Sequence, residues 1–369
     1  MKVLHVQKVS GISGSEAHLL SVVPLLRERG WDARMIVLHE GEEGARAFVE
    51  AMRATGVPTD AWRMRFDLDP TVPLRLLRQR AGILHTHLVH ADVLCLPAGA
   101  LARIPLRVSS KHGFNEFRGN RLVAAADRAA GRFADAQIAI SNGLADYLAA
   151  TEGFDRGSFQ VVHYGIGAGP DPTSPPAPTR LAAVGRLIPI KGLDVLLRAF
   201  AVARTLVPEL TLEIAGAGPL EAELRAAAPD GVTFLGRIDD IAEVYERNAV
   251  VVVPSRGEGF GMVALEAAER GRAAIVSRVG GLPEIVVDGK TGIVVPPEDE
   301  RALADAIVAL ATDPDRARAY GSAARVRALE SFSEAAAVDG IDAVYRHLLR
   351  RRSKAAAASS ASTKSNGTR

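Results

Sequence analysis

Short apolar runs rich in Val, Ile, Leu and Ala alternate along the chain with stretches whose apolar positions recur every three or four residues. The first kind of pattern reads as buried strands and the second as amphipathic helices. In the first half, Val3–Val6, Arg34–Leu38, Ile83–His85, Leu106–Val108 and Gln137–Ile140 read as strands. In the second half the same reading picks out Leu181–Val184, Thr211–Ile214, Val232–Leu235, Val250–Val253 and Ala274–Val276. Strands that are apolar on both faces, separated by helical stretches, build βαβ units and parallel sheets. The pattern therefore predicts an α/β chain of two tandem Rossmann-like domains, with ligands expected at the carboxyl ends of the strands.

The pattern breaks once, at Gly167–Pro178, where five prolines and two glycines in twelve residues stop helix and central strand alike. This predicts domains over 1–166 and 179–332, a linker over 167–178 and a disordered Ala/Ser/Thr/Lys tail over 353–369. A length of 369 residues fits two domains. Lys plus Arg (45) nearly balance Asp plus Glu (43), which gives no reason to expect a nucleic-acid partner. The single Cys95 excludes an internal disulfide and a thiolate metal cluster. The longest run without Asp, Glu, Lys or Arg, Gly157–Pro170, is shorter than a spanning helix, and Met1–Val6 leads directly into a strand. The expectation is a soluble, cytoplasmic protein.

The densest chemistry lies in Ser255–Glu266, between a strand and a helix. Gly259 and Gly261 flank Phe260 and let backbone N–H groups approach a ligand, while the helix start behind them favours an anion. Glu258 and Glu266 are eight residues apart, two helical turns if the helix begins near Gly259. A carboxylate there suits a ribose diol; the alternative is an ordinary βα loop with surface glutamates. Upstream, Gly185-Arg186 and Lys191-Gly192 set a guanidinium and an ammonium five residues apart at a strand end, a clamp for a diphosphate. The loops Ala215–Pro219, Leu235–Arg237, Gly280–Ile285 and Asp288–Gly292 follow.

This ordered set resembles the family 4 glycosyltransferases, a retaining group of the GT-B fold, over residues 1 to about 350. The likeness rests on the E-x7-E pair (Glu258, Glu266), the G-R-x4-K loop (Arg186, Lys191), and the GGxPE and DGxTG motifs. It implies two domains facing across a cleft, with the helix after about 333 completing the first. It implies that Arg186 and Lys191 hold a donor diphosphate and that Glu266 holds the ribose. Glu258 and the Gly259–Gly261 backbone, Phe260 included, would lie against donor sugar and phosphate, with Gly236 and Arg237 near the base. In the first domain it implies that Gly14, in Ser13-Gly-Ser-Glu16, meets the donor and that His112 faces the sugar. The implied reaction moves a sugar from a nucleoside diphosphate to an acceptor hydroxyl of a lipid-linked saccharide, a surface polysaccharide or a small aglycone. The alternatives are a nucleotide-sugar 2-epimerase of the same fold and a non-catalytic sugar-nucleotide-binding relative.

No metal or other cofactor is expected. His85, His87 and His90 form no i, i+4 helical pair and have no carboxylate-rich partner segment, so they read as strand-end polar residues lining the cleft. The D-x-D triplets Asp67–Asp69 and Asp313–Asp315 read as surface turns beside prolines. Lys111 reads as solvated. Arg118, Arg121, Arg128 and Arg132 recur at helical spacing. Since some relatives dock on anionic lipid through such a face, a peripheral contact at the inner membrane face is a second expectation, weakened by Asp127 and Asp135.

Overall fold

The computed structural model describes residues 1–114, 121–238 and 240–365, with side chains described through 355. The chain forms two compact units: Met1–Ile140 with Ala145–His163 and the segment from Glu334, and Ser141–Leu144 with Tyr164–Ser333.

Unit 1 carries seven parallel strands: β1 (Lys2–Lys8), β2 (Asp32–His39), β3 (Thr59–Arg63), β4 (Ile83–His87), β5 (Leu106–Lys111), β6 (Ala136–Ala139) and β7 (Phe159–Val161). Their order is β3-β2-β1-β4-β5-β6-β7, so the direction of winding reverses between β1 and β4. One face packs on α1 (Gly14–Glu28), α2 (Glu43–Ala54) and α14 (Glu334–Ser365), through residues such as Val3, Val22, Phe48 and Val344. The other face packs on α3 (Thr71–Leu76) and α4 (Leu88–Leu101), through residues such as Leu4, Ile36, Leu76 and Leu94. Strand alternation makes this division, because successive side chains point to opposite faces. The helix α5 (Arg121–Gly131) precedes β6, and α6 (Asn142–Glu152) follows it.

Unit 2 repeats the plan with β8 (Arg180–Val184), β9 (Thr211–Ala215), β10 (Val232–Gly236), β11 (Val250–Val253), β12 (Ala273–Ser277) and β13 (Gly292–Val295), in the order β10-β9-β8-β11-β12-β13. Here the reversal falls between β8 and β11. Its main core joins α7 (Leu193–Leu206), α8 (Glu221–Ala227) and α12 (Glu300–Ala311) to the sheet, through Leu196, Phe200, Leu224 and Ile307. The remaining helices are α9 (Ala242–Arg247), α10 (Met262–Glu269), α11 (Leu282–Ile285) and α13 (Pro314–Ser331).

Composition misleads at the tail. Backbone helix continues through α14 to Ser365, where disorder was the expectation. The run Lys354–Ala358 is nearly all alanine, the strongest helix former, so it extends a helix already nucleated upstream. Within unit 2 the proline-rich stretch is tied down rather than loose. The buried Arg272 donates to the Thr173 carbonyl (3.2 Å), and the Gly169 N–H donates to Glu269 Oε1 (2.9 Å).

Candidate active site

In unit 2, the loops after β8 and β11 leave adjacent strands at the point where winding reverses, which is where open α/β sheets bind ligands. The first loop ends in a 3-10 turn, Pro189–Lys191, and Gly192 caps the following helix in the left-handed region (φ 64°). A Cβ at Gly192 would lie 2.1 Å from the Pro254 carbonyl, so glycine lets the two loops touch. Across that contact Lys191 Nζ donates to Glu258 Oε2 at 2.5 Å, both side chains about one-fifth exposed. Arg186 is exposed and makes no ion pair among the described residues.

Arg256, which the sequence reading passed over, fastens the two loops. Its N–H donates to the Ile190 carbonyl (2.8 Å) and its Nη1 to the Pro189 carbonyl (2.6 Å). The guanidinium also grips both oxygens of Asp194 at 2.8 Å and Glu298 at 2.7 Å. These hydrogen bonds hold the Asp194 carboxyl down to about 2 and push the Arg256 guanidinium up. A bidentate pair of this kind specifies geometry as well as charge.

Glu258 and Glu266 occupy different settings, which corrects the shared-helix expectation. The helix α10 begins only at Met262, with Gly261 as its N-cap at φ 112°, so Glu258 belongs to the loop. Glu266 lies one turn into α10, where Tyr245 Oη donates to its Oε2 at 2.7 Å. Burial raises the Glu266 carboxyl, and the tyrosine hydrogen bond works against that rise. Tyr245 escaped the sequence reading because its partner is 21 residues away. Phe260 is buried beside Tyr164 and Phe332, at 5.7 and 5.6 Å between ring centres, so its side chain anchors the loop while Gly259 and Gly261 present backbone. Gly236 ends β10 with φ 69°, and Arg237 beyond it is exposed.

The downstream motifs are turn builders. Glu284 of GGxPE accepts from the Gly143 N–H and from Asn142 Nδ2, both at 2.9 Å. Asp288 and Thr291 of DGxTG accept from the Val294 and Val287 N–H groups at 2.9 and 2.8 Å.

In unit 1, Gly14 opens α1, whose start is a capping box between Ser13 and Glu16. The Glu16 carboxylate also accepts from Gln7 on β1. His112 follows β5 and is half-buried, with its Nε2 2.8 Å from Nδ1 of His87. Burial holds its imidazole well below the usual histidine range, reinforced by His18 and Lys111. His85 sits inside β4 and His87 ends it as the N-cap of α4, but both side chains are buried in the core, which corrects the cleft-lining expectation. With His5 they form a group in which one ring nitrogen from each lies within 4.8 Å of the others. The signal is the parallel register that sets His5 opposite His85, which is invisible to local spacing. His90 lies apart on α4, 3.3 Å from Asp67.

Lys111 is not solvated. Alternation along β5 sends it with Ser109 into the opposite helix layer, where it bonds Asp92 and Asp127 at 2.7 Å each, all three fully buried. Asp127 is thereby neutralised internally and Asp135 pairs with Arg107, so neither screens the α5 arginines. Arg121, Arg128 and Arg132 are exposed beside Leu122 (80% exposed), while Arg118 lies outside the described residues. In the D-x-D triplets, Asp67 pairs with Lys8, Asp69 accepts from the Arg65 and Thr71 N–H groups, and Asp313 caps α13. Among the described residues no helix is long and apolar enough to cross a membrane.

Comparison with known proteins covers both units. Residues 12–168 match Glycosyltransferase Family 4, and residues 178–313 match Glycosyl transferases group 1. The alpha-maltose-1-phosphate synthase of Mycolicibacterium smegmatis is 29% identical over 73% of this chain and 79% of its own length. The D-inositol 3-phosphate glycosyltransferase of Corynebacterium diphtheriae is 35% identical over 45% of this chain and 42% of its own. Among solved structures, Anabaena HepE in complex with UDP and glucose superposes with a TM-score of 0.81 at 20% identity, covering 94% of this chain and 100% of that one. Sucrose-phosphate synthase from Thermosynechococcus elongatus gives 0.75 at 22% identity, over 95% and 99%. With both halves matched in order, and with parallel sheets of seven and six strands wound as expected, the chain belongs to the family 4, group 1 glycosyltransferases of the GT-B fold.

Proposed function

We propose that this chain transfers a sugar, with retention of configuration, from a nucleoside diphosphate to an acceptor hydroxyl, without a metal ion. The observation that carries the reading is the meeting of Lys191, Glu258 and the α10 start at the winding reversal of unit 2, with Glu266 one turn further on. Breaking the bond from the sugar's anomeric carbon to the diphosphate oxygen leaves negative charge on that oxygen. Lys191, Arg186 and the N–H groups at the start of α10 stabilise it as fixed dipoles and charges. Lys191 exchanges Glu258 for phosphate as the donor arrives, and Glu258 turns to the sugar hydroxyls.

Glu266 accepts the two ribose hydroxyls. Its carboxylate is half-buried and under-solvated, so hydroxyl donors are worth more to it than they would be in water, and Tyr245 fixes its orientation. The backbone around Gly236 and Arg237 meets the base. Gly14 at the α1 start and His112 contact the donor's sugar end. The acceptor hydroxyl attacks on the face the leaving group vacates, and its proton passes to the departing phosphate oxygen. HepE, solved with UDP and glucose and with UDP-glucose, supports a nucleotide-sugar donor.

The test incubates purified protein with UDP- and GDP-sugars and simple alcohol acceptors, reading nucleoside diphosphate release and the anomeric configuration of the product by NMR. Product of the donor's own configuration is expected. Inverted product, or none with any donor, overturns the proposal.

A further inference from the structure

Unit 1 buries an unusual amount of polar matter on the sheet face that packs against α1 and α14. His5, His85, His87, Ser110 and Tyr345 are each 3% exposed or less, beside a cluster of apolar residues such as Val3, Leu26, Met35 and Phe48. They are joined in a line. Ser110 Oγ lies 2.7 Å from His85 Nε2, and His85 Nδ1 lies 2.6 Å from Tyr345 Oη. Tyr345 Oη reaches His5 Nε2 at 3.5 Å, and His5 Nδ1 lies 3.0 Å from His87 Nε2. His87 Nδ1 then lies 2.8 Å from His112 Nε2, so the line ends on the residue assigned to the donor sugar.

A neutral imidazole has one N–H and one lone pair, and a phenol has one proton to give. Burial keeps these histidines neutral. Each link therefore has one donor and one acceptor, and choosing the direction at one link chooses it at all of them. Tyr345 decides. Its single proton belongs in the 2.6 Å contact to His85 Nδ1, a short O–H···N bond, rather than in the 3.5 Å contact to His5. His85 then donates Nε2–H to Ser110. The tyrosine oxygen is left to accept from His5 Nε2–H, so His5 Nδ1 accepts from His87 Nε2–H, and His87 Nδ1 accepts from His112 Nε2–H.

We propose that this buried line fixes His112 in the Nε2–H form, so that its Nδ1 carries a lone pair and His112 meets the donor sugar as an acceptor of a hydroxyl hydrogen bond. His87, His5 and Tyr345 are positioning residues: they act through His112 and need touch no substrate. The sugar contact rests on the proposed function; the tautomer does not. The same three histidines are close enough to suggest a metal, yet a metal would need their lone pairs turned toward one point, at the expense of the bonds that join them.

The experiment is long-range 1H–15N correlation of the histidine side chains in full-length protein at neutral pH. His112 is assigned through His112→Gln, and zinc content is measured on the same sample. The wild type is expected to show His112, His87 and His5 with the proton on Nε2, and less than about a tenth of an equivalent of zinc. Tyr345→Phe removes the hydroxyl in the middle of the line, both the donor to His85 and the acceptor for His5. It should move the His112 nitrogens toward the averaged values of mixed tautomers, while Trp31, edge-on to Tyr345 at 5.2 Å, reports an intact fold. Should that variant fail to fold, Ser110→Ala tests the same line from its other end and should shift His112 toward Nδ1–H.

A wild-type His112 protonated on Nδ1, a folded Tyr345→Phe or Ser110→Ala with unchanged His112 signals, or one equivalent of bound zinc overturns the proposal. Undiminished sugar transfer by His112→Ala, with the Nε2–H form still observed in the wild type, overturns the sugar contact alone.

Discussion

Mild acid should unfold unit 1 first. His5, His18, His85, His87 and His112 are all held neutral by burial, the first two with values lowered to about 3. Unfolding returns each to about 6.5. Below that value the unfolded chain binds protons the folded chain refuses. The stability these groups allow is therefore complete only about a unit above pH 6.5, is down by about 0.4 kcal/mol per histidine at pH 6.5, and is lost further as pH falls toward about 3. Between pH 6.5 and 5.5 each such histidine costs about 1 kcal/mol, about 5 kcal/mol for the five together. Asp92 works the other way. Burial raises its carboxyl to about 6, against the pull of Lys111, so its protonation on the folded side returns about 1 kcal/mol. The net loss of about 4 kcal/mol is a large share of the roughly 5–15 kcal/mol that holds a domain together.

Tryptophan fluorescence reads this unit alone, because the chain's two tryptophans, Trp31 and Trp62, are both buried in unit 1. Urea titrations at pH 7.5, 6.5 and 5.5 should show a midpoint that falls by about 0.5–1 M over the first interval and by about 1–2 M more over the second. A midpoint that moves by less than about 0.3 M would refute the neutral, buried assignment, given ordinary denaturant slopes.

Other expectations concern unit 2. Lys191→Ala should lower turnover by about 10²-fold, comparable to losing one oxyanion donor, because it removes the phosphate cation and leaves Glu258 unpaired; steady-state rates within threefold of wild type would end that assignment. Arg256→Ala should weaken donor binding about tenfold by calorimetry while costing only about 1 kcal/mol in stability, since its ion pairs are partly exposed. Gly192→Ala should destabilise by about 2 kcal/mol or more in thermal melts, because its Cβ meets the Pro254 carbonyl and its φ is positive. Transfer should survive EDTA; complete loss restored only by Mg²⁺ or Mn²⁺ would contradict the metal-free mechanism.

What the sequence made legible was local. The apolar runs over Val3–Val6 and Val250–Val253 mark strands because parallel strands are apolar on both faces, and the loops after them follow from glycine and charge. Three strands escaped. Thr59–Arg63 is an edge strand carrying Asp60 and Arg63, Phe159–Val161 is three residues long, and Gly292–Val295 hides behind a glycine-rich turn. Edge strands need no two-sided apolar pattern, so periodicity cannot find them.

The site shows the same division. Lys191 was readable as a charge at a strand end and Glu266 as a charge in the helix that follows one, whereas Arg256 and Tyr245 matter through partners far along the chain. Lys111 and the buried histidines were misread for one reason. Which face of a strand is buried, and against what, depends on neighbours such as β1 beside β4, and only the assembled sheet supplies them.

The most direct test of the account is a thermal-shift panel of UDP, GDP, ADP and TDP against wild type, Lys191→Ala and Glu266→Ala. One base class should stabilise the wild type, by about 2.7 kcal/mol at 100 times Kd, and both substitutions should largely abolish the effect. No shift with any diphosphate at millimolar concentration, or equal shifts in all three proteins, would contradict the claim that the loops after β8 and β11 bind the donor.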